Sequence, residues 1–195
     1  PQGGVLSPLL WNISLNSILV ALKKLGADVI AYADDLVIMV SGLHLATIRN
    51  IMQEALKTLT TWASDCGLGV NASKTELVLF TKNKKIQFRD IRMNGTSLTL
   101  SNTASFLGII LDSKLTWHQN LSNRIKKATN ALYICKKSFG RTWGLKPSLI
   151  LWIYTAIVRP ILTYGCIVWW ICLLKSTYLD ELEKVQRLAC LCVTG

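Results

Sequence analysis

Apolar residues recur at helical spacing across residues 8–24 and predict a helix there. Pro8 suits the first turn, because a proline nitrogen at that position has no helical hydrogen bond to lose. Gly26 is expected to stop the helix. The apolar positions of this helix are Leu9, Leu10, Ile13, Leu15, Ile18, Leu19 and Leu22.

A second helical stretch spans 44–65 and is separated from the first by two short apolar runs. The runs, Val29–Tyr32 and Leu36–Val40, predict two strands that pair as a hairpin. Ser41 is a candidate cap for the second helix, and Gly67 is expected to end it.

The middle of the chain predicts short strands, and the last part predicts helices. Leu77–Thr81 and Phe106–Leu111 read as strands, and 82–104 alternates polar and apolar residues around a turn at Asn94–Gly95. The helices from Trp117 onward are predicted at 117–139, at 147–173 with an interruption at Pro160, and at 177–192. The pattern therefore predicts an α+β fold, with a small antiparallel sheet backed by two helices and followed by a helical region.

The apolar run 147–174 raises the question of a membrane span. Arg159 and Pro160 divide it into stretches of 12 and 15 uncharged residues. A spanning helix needs about 20 apolar residues, and an arginine at mid-depth is costly. A buried helix pair is therefore the favoured interpretation, and a membrane-anchored protein is the alternative.

The composition excludes a disordered chain, because 51% of the residues are hydrophobic and only 17% are charged. Six cysteines are present, none in a C-x-x-C pair, and we interpret them as reduced core thiols of an intracellular protein. The chain opens with Pro1 rather than methionine, so we expect it to be a piece of a longer protein.

The net charge of +11 is unevenly distributed along the chain. Residues 1–42 carry two basic and three acidic groups, residues 43–112 carry eight and five, and residues 113–195 carry twelve and three. The basic residues from 114 to 146, with no acid among them, are Lys114, Arg124, Lys126, Lys127, Lys136, Lys137, Arg141 and Lys146. Such a field favours nucleic acid as the partner, and a merely solvated surface is the alternative.

The candidate chemistry lies in Tyr32-Ala33-Asp34-Asp35, between the two predicted strands. Adjacent carboxylates repel each other unless a cation joins them, and Mg²⁺ prefers such hard oxygen ligands. A tight turn that presents both carboxylates suits a two-metal site. The alternative is an acidic pair that only makes the turn soluble, and the tetrapeptide alone does not decide between them.

Further segments accompany the acidic turn in a fixed order. They are Pro1-Gln2-Gly3-Gly4-Val5-Leu6-Ser7-Pro8-Leu9-Leu10 before it, then Gly67-Leu68-Gly69-Val70-Asn71 with Ser73-Lys74-Thr75-Glu76, then Phe106-Leu107-Gly108 with Asp112 and Leu115-Thr116-Trp117, and finally Pro147, Trp152, Tyr154, Arg159-Pro160, Tyr164-Gly165 and Trp169. The whole series resembles the reverse transcriptase of a non-LTR (LINE-like) retrotransposon, most of all the jockey type.

For the acidic turn, the resemblance implies that Asp34 is a metal ligand and Asp35 the adjacent carboxylate of the catalytic site. The implied cofactor is a pair of Mg²⁺ ions, with Mn²⁺ as an alternative. In the family a further catalytic aspartate lies in a strand upstream of the Pro-Gln-Gly loop. This chain starts after that strand, so we expect it to be inactive alone.

Four other residues of the first part have implied roles in binding. Gln2 and Gly3 would lie beside the template and the incoming nucleotide, Tyr32 at the primer end, and Lys74 near the pyrophosphate. Each also has an ordinary interpretation, as a turn before a helix, a half-buried strand tyrosine or a surface lysine.

In the later part, the resemblance implies that Phe106-Leu107-Gly108 is a primer grip, a hairpin that holds the primer terminus. The implied duplex phosphate contacts are Arg124, Lys126, Lys127, Lys136, Lys137 and Arg141. Residues 1–112 would be a partial palm and residues 113–195 a helical thumb.

The implied function is RNA-directed DNA polymerisation. Its implied partners are an RNA template, a DNA primer or target, dNTPs, and the upstream fingers and palm, with an endonuclease and other regions of the same polyprotein. The implied location is the nucleus after cytoplasmic synthesis, with no membrane partner. The alternatives are a non-catalytic nucleic-acid-binding remnant of a retroelement and another palm-type nucleotidyltransferase or cyclase.

Overall fold

A computed structural model of the chain describes residues 3–81, 90–137 and 146–194. It consists of two compact units, Pro1–Asn102 and Thr103–Gly195. Helices and short strands occur in both units, so the fold is mixed α+β as the sequence predicts. The single small antiparallel sheet is wrong, because the strands of the described residues form separate two-stranded sheets, one of which is parallel.

The first unit contains two long helices and short strands. Its elements are α1 (Ser7–Lys24), β1 (Asp28–Tyr32), β2 (Asp35–Met39), α2 (Leu45–Asp65), a 3₁₀ turn (Ala72–Lys74), β3 (Leu77–Val78), β4 (Ile91–Met93), β5 (Thr96–Leu98) and β6 (Leu100–Ser101). The predicted helices and the predicted hairpin are confirmed to within one residue at each end. Ser41 as a cap is wrong, because α2 begins only after His44, which makes no side-chain capping hydrogen bond.

The second unit opens with a hairpin and is otherwise helical. Its elements are β7 (Thr103–Phe106), β8 (Ile109–Asp112), α3 (His118–Lys136), α4 (Pro147–Ile153), a π-helical segment (Tyr154–Val158), α5 (Arg159–Thr163), α6 (Cys166–Trp169), a 3₁₀ segment (Trp170–Leu174) and α7 (Ser176–Thr194). The predicted helices at 117–139 and 177–192 are confirmed where the structure describes them.

Two apolar clusters hold the first unit together. Leu15, Ile18 and Leu22 of α1 are buried against Ala55 of α2 and the inner side of the β1–β2 hairpin. The earlier apolar positions of α1, Leu9, Leu10 and Ile13, are exposed instead. Helical spacing identifies the apolar face of a helix, but it does not show how much of that face is covered by the elements that pack against it.

The second cluster fastens the β4–β5 hairpin to α2. Leu56 packs with Ile91, Met93 and Leu98. The amide of Gln53 adds directional contacts, since its Nε2 donates to the Arg92 carbonyl at 2.7 Å and its Oε1 accepts from the Arg92 N–H at 3.0 Å. These contacts couple the hairpin to the helix by both apolar burial and paired hydrogen bonds.

One hairpin turn agrees with the prediction from the sequence, and another does not. Asn94–Gly95 forms the predicted turn, with φ of 50° and 78°. The single strand predicted at Phe106–Leu111 is wrong, because Leu107–Gly108 is the turn of the β7–β8 hairpin. Alternation of apolar residues does not reveal a turn when its first residue is a leucine.

The remaining strand prediction is only partly realised. Leu77–Thr81 reduces to the two residues of β3, which pairs in parallel with β6. The predicted β element at 82–104 lies outside the described residues over 82–89, and its remainder supplies β4, β5 and β6, with Thr103 opening β7.

The helical core of the second unit brings α3, α5 and α7 together. Ala128 and Leu132 pack against Val158, Leu162 and side chains of α7. A separate cluster joins Trp117, Leu121, Trp169 and Cys172.

The predicted interruption at Pro160 is wrong. Val158 and Arg159 keep helical dihedrals, and the preceding π-helical segment accommodates the proline, which lacks an N–H. The chain instead turns at Tyr164–Gly165, where Gly165 has φ of 62°.

Asp112 organises the loop that leads into α3. Its carboxylate accepts from the Thr116 N–H and the Trp117 N–H, both at 2.8 Å, and from the Thr116 hydroxyl at 2.9 Å. Burial raises the pKa of Asp112, but these hydrogen bonds favour the ionised form and bring the pKa below its ordinary value. The charged carboxylate thus substitutes for a conventional helix cap, because Trp117 makes no side-chain capping bond.

Among the described residues, no single helix is both long and apolar enough to cross a membrane. One helix pair, Pro147–Thr163 with Cys166–Leu174, meets the length and composition criteria together, and it is bent by 45°.

All six cysteines are free. Cys172 and Cys192 are buried as expected, but Cys66, Cys166 and Cys190 are exposed. The interpretation of all six as core thiols is therefore wrong for these three, since each follows or lies on the outer side of a helix.

Candidate catalytic turn and nucleic-acid-binding helix

The acidic turn, Tyr32–Asp35, closes the β1–β2 hairpin. Tyr32 and Asp35 form the last strand pair, so Ala33 and Asp34 are the two-residue loop. Both aspartates are exposed. Ala33 adopts φ of 53°, a conformation that glycine or asparagine usually supplies in a two-residue hairpin loop. The hairpin therefore projects two neighbouring carboxylates into solvent.

Trp11 of α1 holds this turn from below. Its indole Nε1 donates a hydrogen bond of 2.7 Å to the Ala33 carbonyl. A left-handed alanine costs roughly 1 kcal/mol, and a hydrogen bond of this kind contributes a comparable amount. Sequence reasoning missed Trp11, and the only available signal was that a half-buried indole N–H needs an acceptor.

The acidic turn has the right donor chemistry for Mg²⁺, but it does not form a complete protein cage. Its exposed carboxylates are hard oxygen ligands, and Mg²⁺ commonly takes one or two of these together with water and phosphate oxygens. Over residues 3–81, 90–137 and 146–194, no group of three or more His, Cys, Asp or Glu side chains is arranged to hold a metal. The residues present therefore fit one part of a metal shell.

The other predicted binding residues of the first unit lie on separate segments. Tyr32 stands opposite Asp35, with 64% of its surface exposed. Lys74 is exposed on the 3₁₀ turn, where the side chain of Asn71 accepts from the Ser73 N–H at 2.9 Å. Gly3 is exposed with φ of 87°. Gln2 lies outside the described residues. Tyr32, Asp34 and Asp35 are thus the predicted residues that the fold brings together.

The basic residues predicted to contact a duplex divide into two groups. Lys126, Lys127 and Lys136 are exposed on α3, and Lys137 is exposed directly after it. Arg124 is only 6% exposed, and its guanidinium donates to the Gly108 carbonyl and stacks on the Tyr164 ring. Arg124 therefore faces the protein interior and is omitted from the phosphate-contacting set. Arg141 lies outside the described residues.

The predicted primer grip is the turn of the β7–β8 hairpin. Phe106 pairs with Ile109, which leaves Leu107 and Gly108 as the loop, with φ of 47° and 74°. The Tyr164 hydroxyl donates to the Leu107 carbonyl at 2.9 Å. Tyr164 occurs in the motif series, but no sequence pattern indicates this contact.

Comparison with known proteins identifies the family. Residues 1–111 match the family described as reverse transcriptase (RNA-dependent DNA polymerase). Curated relatives match along nearly the whole chain. The Pol polyprotein of the type-1 retrotransposable element R1 from Nasonia vitripennis is 22% identical over 97% of this chain. The RNA-directed DNA polymerase from the mobile element jockey of Drosophila melanogaster is 26% identical over 95% of it, and the protein of the same species named probable RNA-directed DNA polymerase from transposon BS is 28% identical over all of it.

The chain spans only part of each relative, namely 58% of the Nasonia protein, 20% of the jockey protein and 22% of the BS protein. No solved structure matches significantly. The family match covers more than half of the chain, and the three relatives come from a retrotransposable element, a mobile element and a transposon. The chain belongs to the reverse transcriptase (RNA-dependent DNA polymerase) family, as the reverse transcriptase domain of a non-LTR retrotransposon.

Proposed function

We propose that the chain supplies catalytic carboxylates and a duplex-binding surface to an RNA-directed DNA polymerase that is part of a longer retrotransposon polyprotein. The observation that carries the proposal is the acidic turn. A chain of this family presents two adjacent exposed carboxylates at a hairpin loop whose backbone is tied to α1.

In the proposed reaction, the 3′-hydroxyl of a DNA primer attacks the α-phosphate of a dNTP, and pyrophosphate leaves. Asp34 and Asp35 would hold Mg²⁺, which when bound supplies charge for the attacking oxygen and for the phosphates. Trp11 fixes the turn through Ala33, so that the carboxylates are oriented before substrate arrives. Tyr32 offers an exposed ring beside the carboxylates against which a nucleotide sugar can pack.

The remaining assignments are proposals that follow from family membership. Residues 1–112 form part of the palm and residues 113–195 a helical thumb. The partners are an RNA template, a DNA primer and dNTPs, together with the fingers, endonuclease and other regions of the polyprotein. The enzyme acts in the nucleus after synthesis in the cytoplasm.

The isolated chain is expected to extend no primer. The two adjacent carboxylates are too few to hold two metal ions, because the described residues offer no group of three candidate ligands. The test gives the 195-residue chain an RNA template, a DNA primer, dNTPs and Mg²⁺, and follows the primer length. Extension above the level of a no-enzyme control would contradict this proposal.

Alanine at Lys126 or Lys127 is expected to weaken duplex binding equally for all sequences. Each lysine that neutralises a phosphate contributes about one unit to the slope of log K against log salt. Fluorescence anisotropy with an RNA–DNA duplex, at several salt concentrations, measures that slope.

The matched control is Lys184→Ala. Lys184 is also exposed and lies in the same unit, but it follows Glu183 and Glu181 on α7. All three substitutions remove one positive charge. A smaller salt-dependence slope in the Lys126 and Lys127 variants alone would therefore place the phosphate contact on α3. Equal effects in all three variants would contradict a phosphate-binding role for α3.

A further inference from the structure

We propose that Arg124 and Tyr164 are positioning residues that clamp the Leu107–Gly108 turn for contact with the primer terminus. This inference rests on the proposed polymerase function, and it adds the assumption that the Leu107–Gly108 turn is a primer grip, as the family resemblance implies. The clamp itself is a property of the second unit and can be tested without polymerase activity.

Both carbonyl oxygens of the turn are bound by side chains from other parts of the second unit, Arg124 of α3 and Tyr164 in the turn after α5. The Leu107 carbonyl accepts from the Tyr164 hydroxyl at 2.9 Å, and the Gly108 carbonyl accepts from the Arg124 guanidinium. The guanidinium carbon lies 4.5 Å from the centre of the Tyr164 ring, so the two clamping residues also contact each other. Each residue is thus held in place by the other.

The backbone of the turn requires such support. Leu107 is a bulky residue with φ of 47°, a conformation that such side chains rarely adopt. A strained residue of this kind persists where its surroundings over-determine its geometry. The two hydrogen bonds to the carbonyls hold Leu107 in this conformation. The Asn94–Gly95 turn needs no such support, because asparagine and glycine adopt positive φ readily.

Buried residues of the second unit hold Tyr164 and strand β8 in place. The Trp169 indole donates to the Tyr164 carbonyl at 3.0 Å, and Trp169 is almost completely buried. Gly165 permits the sharp turn after Tyr164, because a Cβ there would lie 2.6 Å from Ile109 Cδ1. The fully buried Asn120 accepts from the Ile110 N–H at 3.2 Å and anchors β8.

The result is a turn that is immobilised on its inner side and open on its outer side. Its carbonyls are occupied by the clamp, while Leu107 and Gly108 remain exposed. A surface that must hold a primer end with atomic precision needs this kind of support behind it. The exposed side, rather than the charge of Arg124, is what a nucleic acid would meet.

The test uses Tyr164→Phe, which removes one hydroxyl and keeps the ring, and Arg124→Gln as a second variant. Tyr133→Phe is the matched control, because it makes the same chemical change at an exposed position of α3. Tyr164→Phe remains informative if loss of the buried arginine prevents folding.

The first measurement is amide hydrogen exchange across residues 103–112 of this chain. Losing one hydrogen bond to the turn is expected to accelerate exchange near Leu107 about fivefold in Tyr164→Phe, with no change in the control. Unchanged exchange would overturn the clamp.

The second measurement is single-nucleotide incorporation by the polyprotein, together with its affinity for the template–primer. The incorporation rate is expected to fall about fivefold, with an affinity within twofold of wild type. A merely structural defect would lower both in proportion to the folded fraction. Faster exchange with an unchanged rate would overturn the positioning role and place the failure in the proposed primer grip, not in the clamp.

Discussion

Asp34→Ala in the polyprotein that contains this chain is expected to reduce RNA-templated primer extension by about 10³-fold, the scale of losing a group that stabilises transition-state charge. Asp34 is the second residue of the hairpin loop, exposed and adjacent to Asp35. No buried contact depends on its side chain, so the loss should be catalytic. Binding of template–primer should stay within about twofold of wild type, because the phosphate contacts are assigned to α3.

The matched control is Asp28→Ala. Asp28 is an exposed aspartate at the other end of the same hairpin, where it begins β1. Extension and binding are both measured on one duplex in Mg²⁺. A parallel loss of binding in Asp34→Ala, or equal loss of extension in Asp28→Ala, would contradict the catalytic assignment.

Trp169→Ala is expected to lower the free energy of unfolding by about 3–5 kcal/mol, the usual cost of removing a buried aromatic side chain. Trp169 is 2% exposed, packs with Trp117 and Leu121, and donates its indole N–H to the Tyr164 carbonyl. The substitution removes both packing and a hydrogen bond. Urea denaturation followed by far-UV circular dichroism measures the change without relying on the lost fluorophore.

The neighbouring Trp170→Ala controls for the loss of any tryptophan from this segment. Trp170 is 55% exposed, so its removal should cost about 1 kcal/mol or less. Comparable destabilisation by both substitutions would contradict the packing described for the second unit.

Local patterns predicted those elements whose physical causes are local. The spacing of apolar residues located α1 and α2, and the Asn94–Gly95 pair located a turn because both residues tolerate positive φ. The apolar pattern missed the Leu107–Gly108 turn, which only the family resemblance implied, because its stability comes from Arg124 and Tyr164, which are distant in sequence. The interruption predicted at Pro160 is wrong because the π-helical segment before it accommodates a residue without an N–H, which the sequence pattern does not show.

In the candidate site, too, the features with local causes were predictable and those that depend on contacts distant in sequence were not. Two exposed carboxylates at the end of a hairpin were predictable, because two short apolar runs flank an acidic pair and the turn between them must fall at that pair. The hydrogen bond from Trp11 to the loop was not predictable, because the sequence does not show which carbonyl an indole N–H will reach. Arg124 was read as a surface charge from its basic neighbours, whereas burial depends on which face of α3 meets the core.

The central claim is that Asp34 binds the metal at which an RNA-directed DNA polymerase acts, and Asp34→Cys in the polyprotein tests it most directly. A thiolate is a poor ligand for Mg²⁺ and a better one for softer cations. We predict that this variant extends an RNA-templated primer in Mg²⁺ no better than Asp34→Ala. Replacement of Mg²⁺ by Mn²⁺, which accepts a thiolate more readily than Mg²⁺ does, should raise its activity relative to wild type under the same conditions. Wild-type extension by Asp34→Cys in Mg²⁺ would contradict the account.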